Sequence, residues 1–142
     1  MSHPIITDLR AMTRAIIPRL RDAGQDAALG DEPLGVAGDA FDVLFVRLLE
    51  APAKSRSGGT YKALRAATFE LRIVYDAAGK AEATSSQAME DAEALLVGMP
   101  DEARIPPASA IQHVRFLSAQ IDRKRREEWM LHAELDVLYV QS

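Results

Sequence analysis

The three histidines are the first residues to consider for chemistry, because imidazole can act as a general base or a metal ligand near neutral pH. They are His3, His113 and His132. His3 lies beside the N-terminus, and the other two stand in apolar, alternating segments that we expect to pair as a hairpin. Pairing around a tip near Lys124 to Arg126 would place His113 far along the hairpin from His132. The spacing argues against a two-histidine metal site.

A cluster of acidic residues, Glu90, Asp91 and Glu93, could in principle bind a divalent cation. The sequence predicts a helix that begins near Ser86, so these carboxylates would lie at its N-terminal end. Carboxylates are stabilised there by the partial positive charge of the helix N-terminus. The helix dipole and solvation therefore account for the cluster, and we expect no metal there.

Two adjacent glycines, Gly58 and Gly59, follow the basic residues Lys54 and Arg56 and could suggest a phosphate-binding loop. A Walker loop ends in Gly-Lys-Ser or Gly-Lys-Thr and opens a helix after a strand, whereas Thr-Tyr-Lys follows the glycines here. We instead expect residues 53–60 to form a loop that becomes ordered on assembly, with Lys54 and Arg56 as candidate interface residues.

The composition excludes several classes of site. Cysteine is absent from the 142 residues, so thiolate metal sites, cysteine nucleophiles and disulfides are ruled out. The 17 Lys and Arg against 21 Asp and Glu give a net charge of −4, the wrong sign for a protein that coats nucleic acid. No run approaches the roughly 20 apolar residues of a membrane span, and no signal peptide is recognisable. We expect no enzyme, no cofactor and no membrane association.

The strongest local cluster of positive charge consists of Arg123, Lys124, Arg125 and Arg126. Acidic residues on both sides neutralise most of this charge, and a hairpin tip in water favours charged residues in any case. Two interpretations stay open. The run is either a solvated tip or a contact with a partner protein or with DNA in a lumen.

Hydrophobic periodicity predicts the elements that would position these residues. Apolar residues three and four apart predict a helix over about 4–23, with Pro18 kinking it or ending its regular part early. A second helix is predicted over about 86–98, with Met89, Ala92, Leu95, Leu96 and Met99 as its apolar face. Alternating or continuous apolar runs predict four strands, over about 41–49, 68–76, 110–121 and 129–140.

The order helix, two strands, helix, two strands predicts an α+β fold. The chain is long enough for one hydrophobic core, so we expect one domain over residues 1–142. Hairpin connections between adjacent strands predict a mainly antiparallel sheet of four strands or slightly more, with both helices packed on one face.

The face of the sheet away from the helices is predicted to keep some apolar character. Leu138 and Val140 stand on the otherwise polar side of the last strand, and we expect Val114 and Phe116 to do the same on the third. Apolar groups that no helix covers mark a candidate subunit interface. Phe116 and Val140 are therefore candidate interface residues.

The last two strands resemble a known family. Residues 120–140, with a basic and then acidic tip, Trp129 and an alternating final strand, are similar to the C-terminal end of the lambda-type minor tail protein U, the bacteriophage tail terminator. Residues 66–75 (AATFELRIVY) resemble its middle strand, and the N-terminal helix, length and element order agree. The departures are the Ala/Gly/Asp-rich segment 24–39 and the Pro-rich linker 100–107.

The resemblance implies a virion protein of the tail or neck, made in the host bacterial cytoplasm, that forms a hexameric ring on the finished tail tube. Such a ring would stop polymerisation of the tail tube protein and offer its other surface to the head–tail connector or stopper protein. Genomic DNA would pass through the lumen without sequence-specific binding. Two alternatives stay open: another head–tail neck or tail-completion protein, and a small dimeric α+β domain that binds a ligand or is an enzyme.

Overall fold

Two helices and a five-stranded sheet form the computed structural model, which describes residues 4–22, 43–49, 63–124 and 127–141. Helix α1 spans Pro4–Ile16, helix α2 spans Ala81–Gly98, and a 3-10 helix spans Glu102–Arg104. The strands are β1 (Arg21–Asp22), β2 (Val43–Leu48), β3 (Ala63–Asp76), β4 (Ile111–Asp122) and β5 (Glu128–Gln141).

The strands lie in the order β1-β2-β3-β5-β4. β1 runs parallel to β2, and the other three pairings are antiparallel. β3 and β5 are each 14 residues long and pair along their whole length, from Ala63 with Gln141 to Asp76 with Glu128. The α+β fold with a mainly antiparallel sheet is confirmed, and the two-residue β1 is the addition to the predicted order.

One face of the sheet carries the hydrophobic core. Alternate residues of β3 and β5 share this face, where the register pairs Phe69 with Leu135. Leu9 of α1 and Leu95 of α2 are buried in the same cluster, so both helices cover the same face, as predicted. Burying a side chain of this size is worth about 1.5–3 kcal/mol, so this layer contributes much of the stability.

Pro18 limits the first helix. α1 ends at Ile16 and is followed by a turn in which the Leu20 amide donates to the Ile17 carbonyl at 3.2 Å. Proline has no amide hydrogen and disfavours helical geometry in the residue before it, so the helix ends early, as the sequence predicts. Arg14 Nε donates to the Leu20 carbonyl oxygen at 3.2 Å and holds the turn against the helix.

Helix α2 begins earlier than predicted. It starts at Ala81 rather than near Ser86, and Thr84 lies inside the first turn with its hydroxyl donating to the Asp76 carbonyl at 3.0 Å. The acidic cluster therefore lies in the middle of the helix. The explanation of that cluster by the helix dipole is wrong, because the dipole acts only on the terminal turns.

Strand β4 carries two register shifts that change which residues share a face. They lie between Ile111 and His113 and between Phe116 and Ser118. Each inserts an extra residue, so the alternation changes phase and then returns. Val114 is consequently buried, and Phe116 packs against the core opposite Leu135. The expectation that Val114 and Phe116 lie on the face away from the helices is wrong.

Candidate assembly interface

An apolar surface lies on the face of the sheet away from the helices. It consists of Leu64 and Ala66 from β3 and Leu138 and Val140 from β5, which we call the sheet patch. The register pairs Leu64 with Val140 and Ala66 with Leu138. Leu64 is 48% exposed, Ala66 is exposed, and the other two are partly buried. Towards the middle of the same face Val74 and Met130 are buried, so the accessible apolar surface is confined to this end of the two strands, where it has the character of a contact surface.

Val140 lies on the face that the sequence predicts for it, and Phe116 lies on the opposite one. Leu64 and Ala66 escaped prediction because the strand was expected to begin at Thr68. The signal that could have found them is the alternation of the segment ALRAATF, which continues the period of two into β3. The interface role of these residues belongs to the proposal below.

The middle of the same face holds a buried ion network around Glu70. Its Oε1 accepts hydrogen bonds from Arg47 Nε at 2.9 Å and from Arg72 Nε, and its Oε2 lies 3.6 Å from His132 Nδ1. Burial acts to raise the pKa of the Glu70 carboxyl. The contacts of His132 and Arg72 and the charges of Arg72 and Arg47 outweigh burial and lower that pKa to about 2. The Glu70 carboxylate is therefore ionised at neutral pH, where it pairs with Arg47 and Arg72.

His132 does not complete a metal site. Its Nδ1 faces Glu70, whereas its Nε2 lies 4.0 Å from Asp122 Oδ2, so the two carboxylates approach opposite edges of the ring. Among the described residues, no three His, Asp or Glu side chains converge as metal ligands. The register also separates the two histidines of the hairpin, because His113 pairs with Leu138 and His132 pairs with Gln120.

A second polar cluster lies between α2 and the sheet. Asp91 is 3% exposed and accepts hydrogen bonds from Arg19 at 2.9 and 2.5 Å, from the Tyr75 hydroxyl at 2.5 Å and from Gln87 Nε2 at 3.1 Å. Burial, followed by the hydrogen bond to Asp91, raises the pKa of Tyr75 above its ordinary value. The expectation that the acidic cluster is simply solvated is thus wrong for Asp91, which anchors α2.

A cavity of about 290 Å³ opens beside this cluster and is lined by Arg19, Tyr75, Lys80, Thr84 and Gln87 among others. Its cations already have partners. Arg19 pairs with Asp91, and Lys80 Nζ lies 3.6 Å from Asp76 Oδ2. The charge of the cavity wall is therefore balanced from within the chain, which gives no reason to place an anionic ligand there.

The hairpin tip is confirmed between β4 and β5, and its described basic residues are exposed. The guanidinium carbon of Arg123 lies 5.1 Å from the Trp129 ring centroid, and its Nη2 donates to Ser85 Oγ at 3.1 Å. Lys124 is exposed beside it. Arg123 therefore ties the tip to the first half of α2. The predicted loop 53–60 lies outside the described residues. So do the other basic candidates, which are Arg125, Arg126, Lys54 and Arg56.

Helix α2 presents apolar side chains to solvent. Met89 is 60% exposed, Leu96 is 52% exposed and Val97 is 76% exposed, and we call these three residues the helix patch. Met89 and Leu96 were expected to face the core, and that expectation is wrong. The smaller Ala88, together with Leu95, takes the core side instead. Apolar residues lie around much of the circumference of this helix, so periodicity alone does not identify the buried side.

Neither helix of the described residues has the length and apolar character needed to cross a membrane.

No protein-family model matches the chain, and no curated protein matches it. Among solved structures, it is similar to a chain in the "Virion of native gene transfer agent (GTA) particle". The sequence identity is 19%, the match covers 95% of this chain and 90% of that chain, and the TM-score is 0.47. A likeness of this size does not establish a common function.

Proposed function

We propose that this chain is a structural protein of a phage-like virion that forms a ring at the end of the tail tube. The observation that carries the proposal is the sheet patch, in which Leu64 and Ala66 are exposed and Leu138 and Val140 are partly buried, on the sheet face opposite α1 and α2. An apolar patch of this kind on a small domain favours an assembly role over a role as an isolated domain.

The resemblance to tail terminators gives the second support. Its two segments are residues 120–140 and residues 66–75, and they form one continuous surface because β3 pairs with β5 and β5 pairs with β4. The sheet patch lies at one end of these same strands. Ala66, Leu138 and Val140 of the sheet patch lie within the two segments that carry the resemblance, and Leu64 lies just before the first of them.

The proposal includes the finer features of that role. The ring is a hexamer in which residues 1–142 act as one domain, and it stops growth of the tail tube protein. Its free surface receives the head–tail connector or stopper protein, and genomic DNA passes through the lumen. The acidic net charge of −4 suits passage without tight binding, because DNA phosphates are attracted to basic surfaces.

The role is structural and does not require a catalytic group. The buried carboxylates that would be the first candidates for chemistry, Glu70 and Asp91, are both engaged by arginine in internal ion pairs. Such pairs hold a particular arrangement of elements, and they account for both carboxylates without a catalytic role.

Electron microscopy of the purified chain with and without tail tubes tests the proposal. The tubes are assembled from the tail tube protein encoded in the same genome. We expect rings at one end of each tube, and capped tubes that no longer elongate when more tube protein is added. A chain that binds no tube end would overturn the terminator role. Binding to the connector alone would instead favour a head–tail joining protein.

A further inference from the structure

We infer that copies of this chain associate head to tail, with the sheet patch of one copy packed on the helix patch of the next. The inference rests on the proposed function in one respect, because a ring needs a contact that repeats between neighbours. It names the two surfaces that form that contact, and both belong to this chain.

The two patches face in opposite directions. Leu64 and Val140 lie on the side of the sheet away from the helices. The buried side of α2, which includes Ala88 and Leu95, faces the core, and Met89, Leu96 and Val97 lie on the exposed part of the helix circumference. The helix layer and the sheet lie between the two patches, so one copy of the chain cannot cover one patch with the other.

The separation of the patches distinguishes between kinds of symmetry. A two-fold contact joins a surface to the same surface of the partner, and so it would bury only one patch and leave the other in water. A head-to-tail contact joins different surfaces, and so every copy except a terminal one buries both. Repetition of such a contact closes into a ring when the rotation allows it. Two unlike apolar patches on opposite sides therefore favour head-to-tail association.

The surface beside the helix patch can receive a side chain. A groove of about 460 Å³ runs next to Val97 and is lined by Ile16, Ala94 and Gly98 and by the charged residues Glu90, Glu93 and Arg104. Leu64 is 48% exposed, and a leucine is a suitable group to enter a groove of this kind. The apolar wall with a charged rim matches the usual organisation of a subunit contact.

The charges of the two surfaces complement each other. Residues 81–98 contain three exposed acidic residues and neither lysine nor arginine, and two of the three, Glu90 and Glu93, lie beside the helix patch. At the edge of the sheet patch stands Arg115, whose side chain is 67% exposed and whose partner Asp136 is 39% exposed. An exposed pair of this kind is weak and can exchange partners. Arg115 of one copy is thus suited to approach the acidic side of α2 in the next, which orients the contact.

Two single variants and their mixture test the inference. Leu64→Glu places a negative charge in the sheet patch, and Val97→Glu places one in the helix patch. Leu117→Glu is the matched control, because Leu117 is 40% exposed and belongs to neither patch. Circular dichroism checks that each variant is folded, and size-exclusion chromatography with light scattering gives its mass. Ala66→Glu and Met89→Glu replace the two test variants if either fails to fold.

We expect the wild-type chain and the control to form closed oligomers, and each test variant alone to be monomeric, with the dissociation constant between subunits raised at least about 100-fold. The equimolar mixture should form a dimer and nothing larger. In that dimer the intact helix patch of Leu64→Glu meets the intact sheet patch of Val97→Glu, and the remaining surfaces both carry added negative charge.

Several results would overturn the inference. Dimers of Val97→Glu alone would show that the sheet patch contacts itself, and dimers of Leu64→Glu alone would show the same for the helix patch. Wild-type-sized oligomers of either variant would place the contact elsewhere. A wild-type chain that stays monomeric up to about 1 mM would show that the patches meet other proteins. If that monomer still bound tube ends, the proposed function would stand. Rings that do not bind tail tubes would leave the inference intact and contradict the proposed function.

Discussion

Leu64 and Val140 lie opposite each other on neighbouring antiparallel strands, on the sheet face that neither helix covers. Cross-strand neighbours on one face have Cβ atoms about 4.5–5.5 Å apart, so the two side chains form one continuous apolar surface. Burial beneath the helices therefore does not explain why these two residues are apolar. Most buried apolar side chains face α1 and α2, whereas this pair lies on the other face of the sheet.

Replacing Val140 and Phe116 with aspartate should give opposite results. Val140→Asp is expected to leave a folded chain that no longer forms rings, because an unpaired charge in a desolvated contact is costly. Phe116→Asp should lower stability by about 2 kcal/mol or more, because Phe116 packs against the core. Light scattering measures the oligomer size of each variant, and a thermal melt measures its stability. If the Val140→Asp variant formed rings of wild-type size, Val140 would not be an interface residue.

Removing the carboxylate of Asp91 should destabilise the fold strongly. Asp91→Ala removes the carboxylate that pairs with Arg19 and accepts from the buried Tyr75 hydroxyl, so we expect a loss of about 3 kcal/mol in the free energy of unfolding. Glu93→Ala on the same helix is the control, because Glu93 is exposed, and it should change stability by less than about 0.5 kcal/mol. Urea unfolding measures both. Equal effects would contradict the anchoring role of Asp91.

Stability should fall in acid through Glu70. Its pKa is about 2 in the folded chain against an ordinary value of 4.5, so the unfolded chain binds the proton more readily. The resulting stabilisation is fully present above pH 4.5 and is lost as the pH falls towards 2. The lowered pKa of Glu70 contributes about 3 kcal/mol to the free energy of unfolding above that pH range. Urea unfolding at several pH values should show this slope, and Glu70→Gln should flatten it. An unchanged slope in the variant would assign the acid sensitivity to other carboxylates.

Trp129 should be among the most costly side chains to truncate. It begins the core side of β5, it is 9% exposed, and Arg123 lies over its ring. We expect Trp129→Ala to cost about 3–5 kcal/mol, because it removes a large buried ring. A thermal melt checks this, with Leu117→Ala as an exposed control. A loss below about 1 kcal/mol would mean that the ring contributes little to the core.

The sequence by itself determined the type and order of the two α-helices and the four longer strands, but not the two-residue β1. The strict alternation of residues 129–140 predicted β5 on the correct face, and the alternation of residues 68–76 predicted the inner part of β3. Pro18 predicted the early end of α1. These are local properties, because backbone geometry and a period of two or 3.6 residues depend only on neighbours along the chain.

Only the tertiary structure decided the residues that make the two surfaces. Two bulges turned Val114 and Phe116 towards the core, and pairing with β5 extended β3 to Leu64. The choice between Ala88 and Met89 for the buried side of α2 depended on the packing of the helix against α1 and the sheet. Asp91 became an anchor because Arg19 and Tyr75, which are distant in sequence, meet it beneath α2. Each outcome rests on contacts between segments far apart in the chain, and local periodicity contains no information about them.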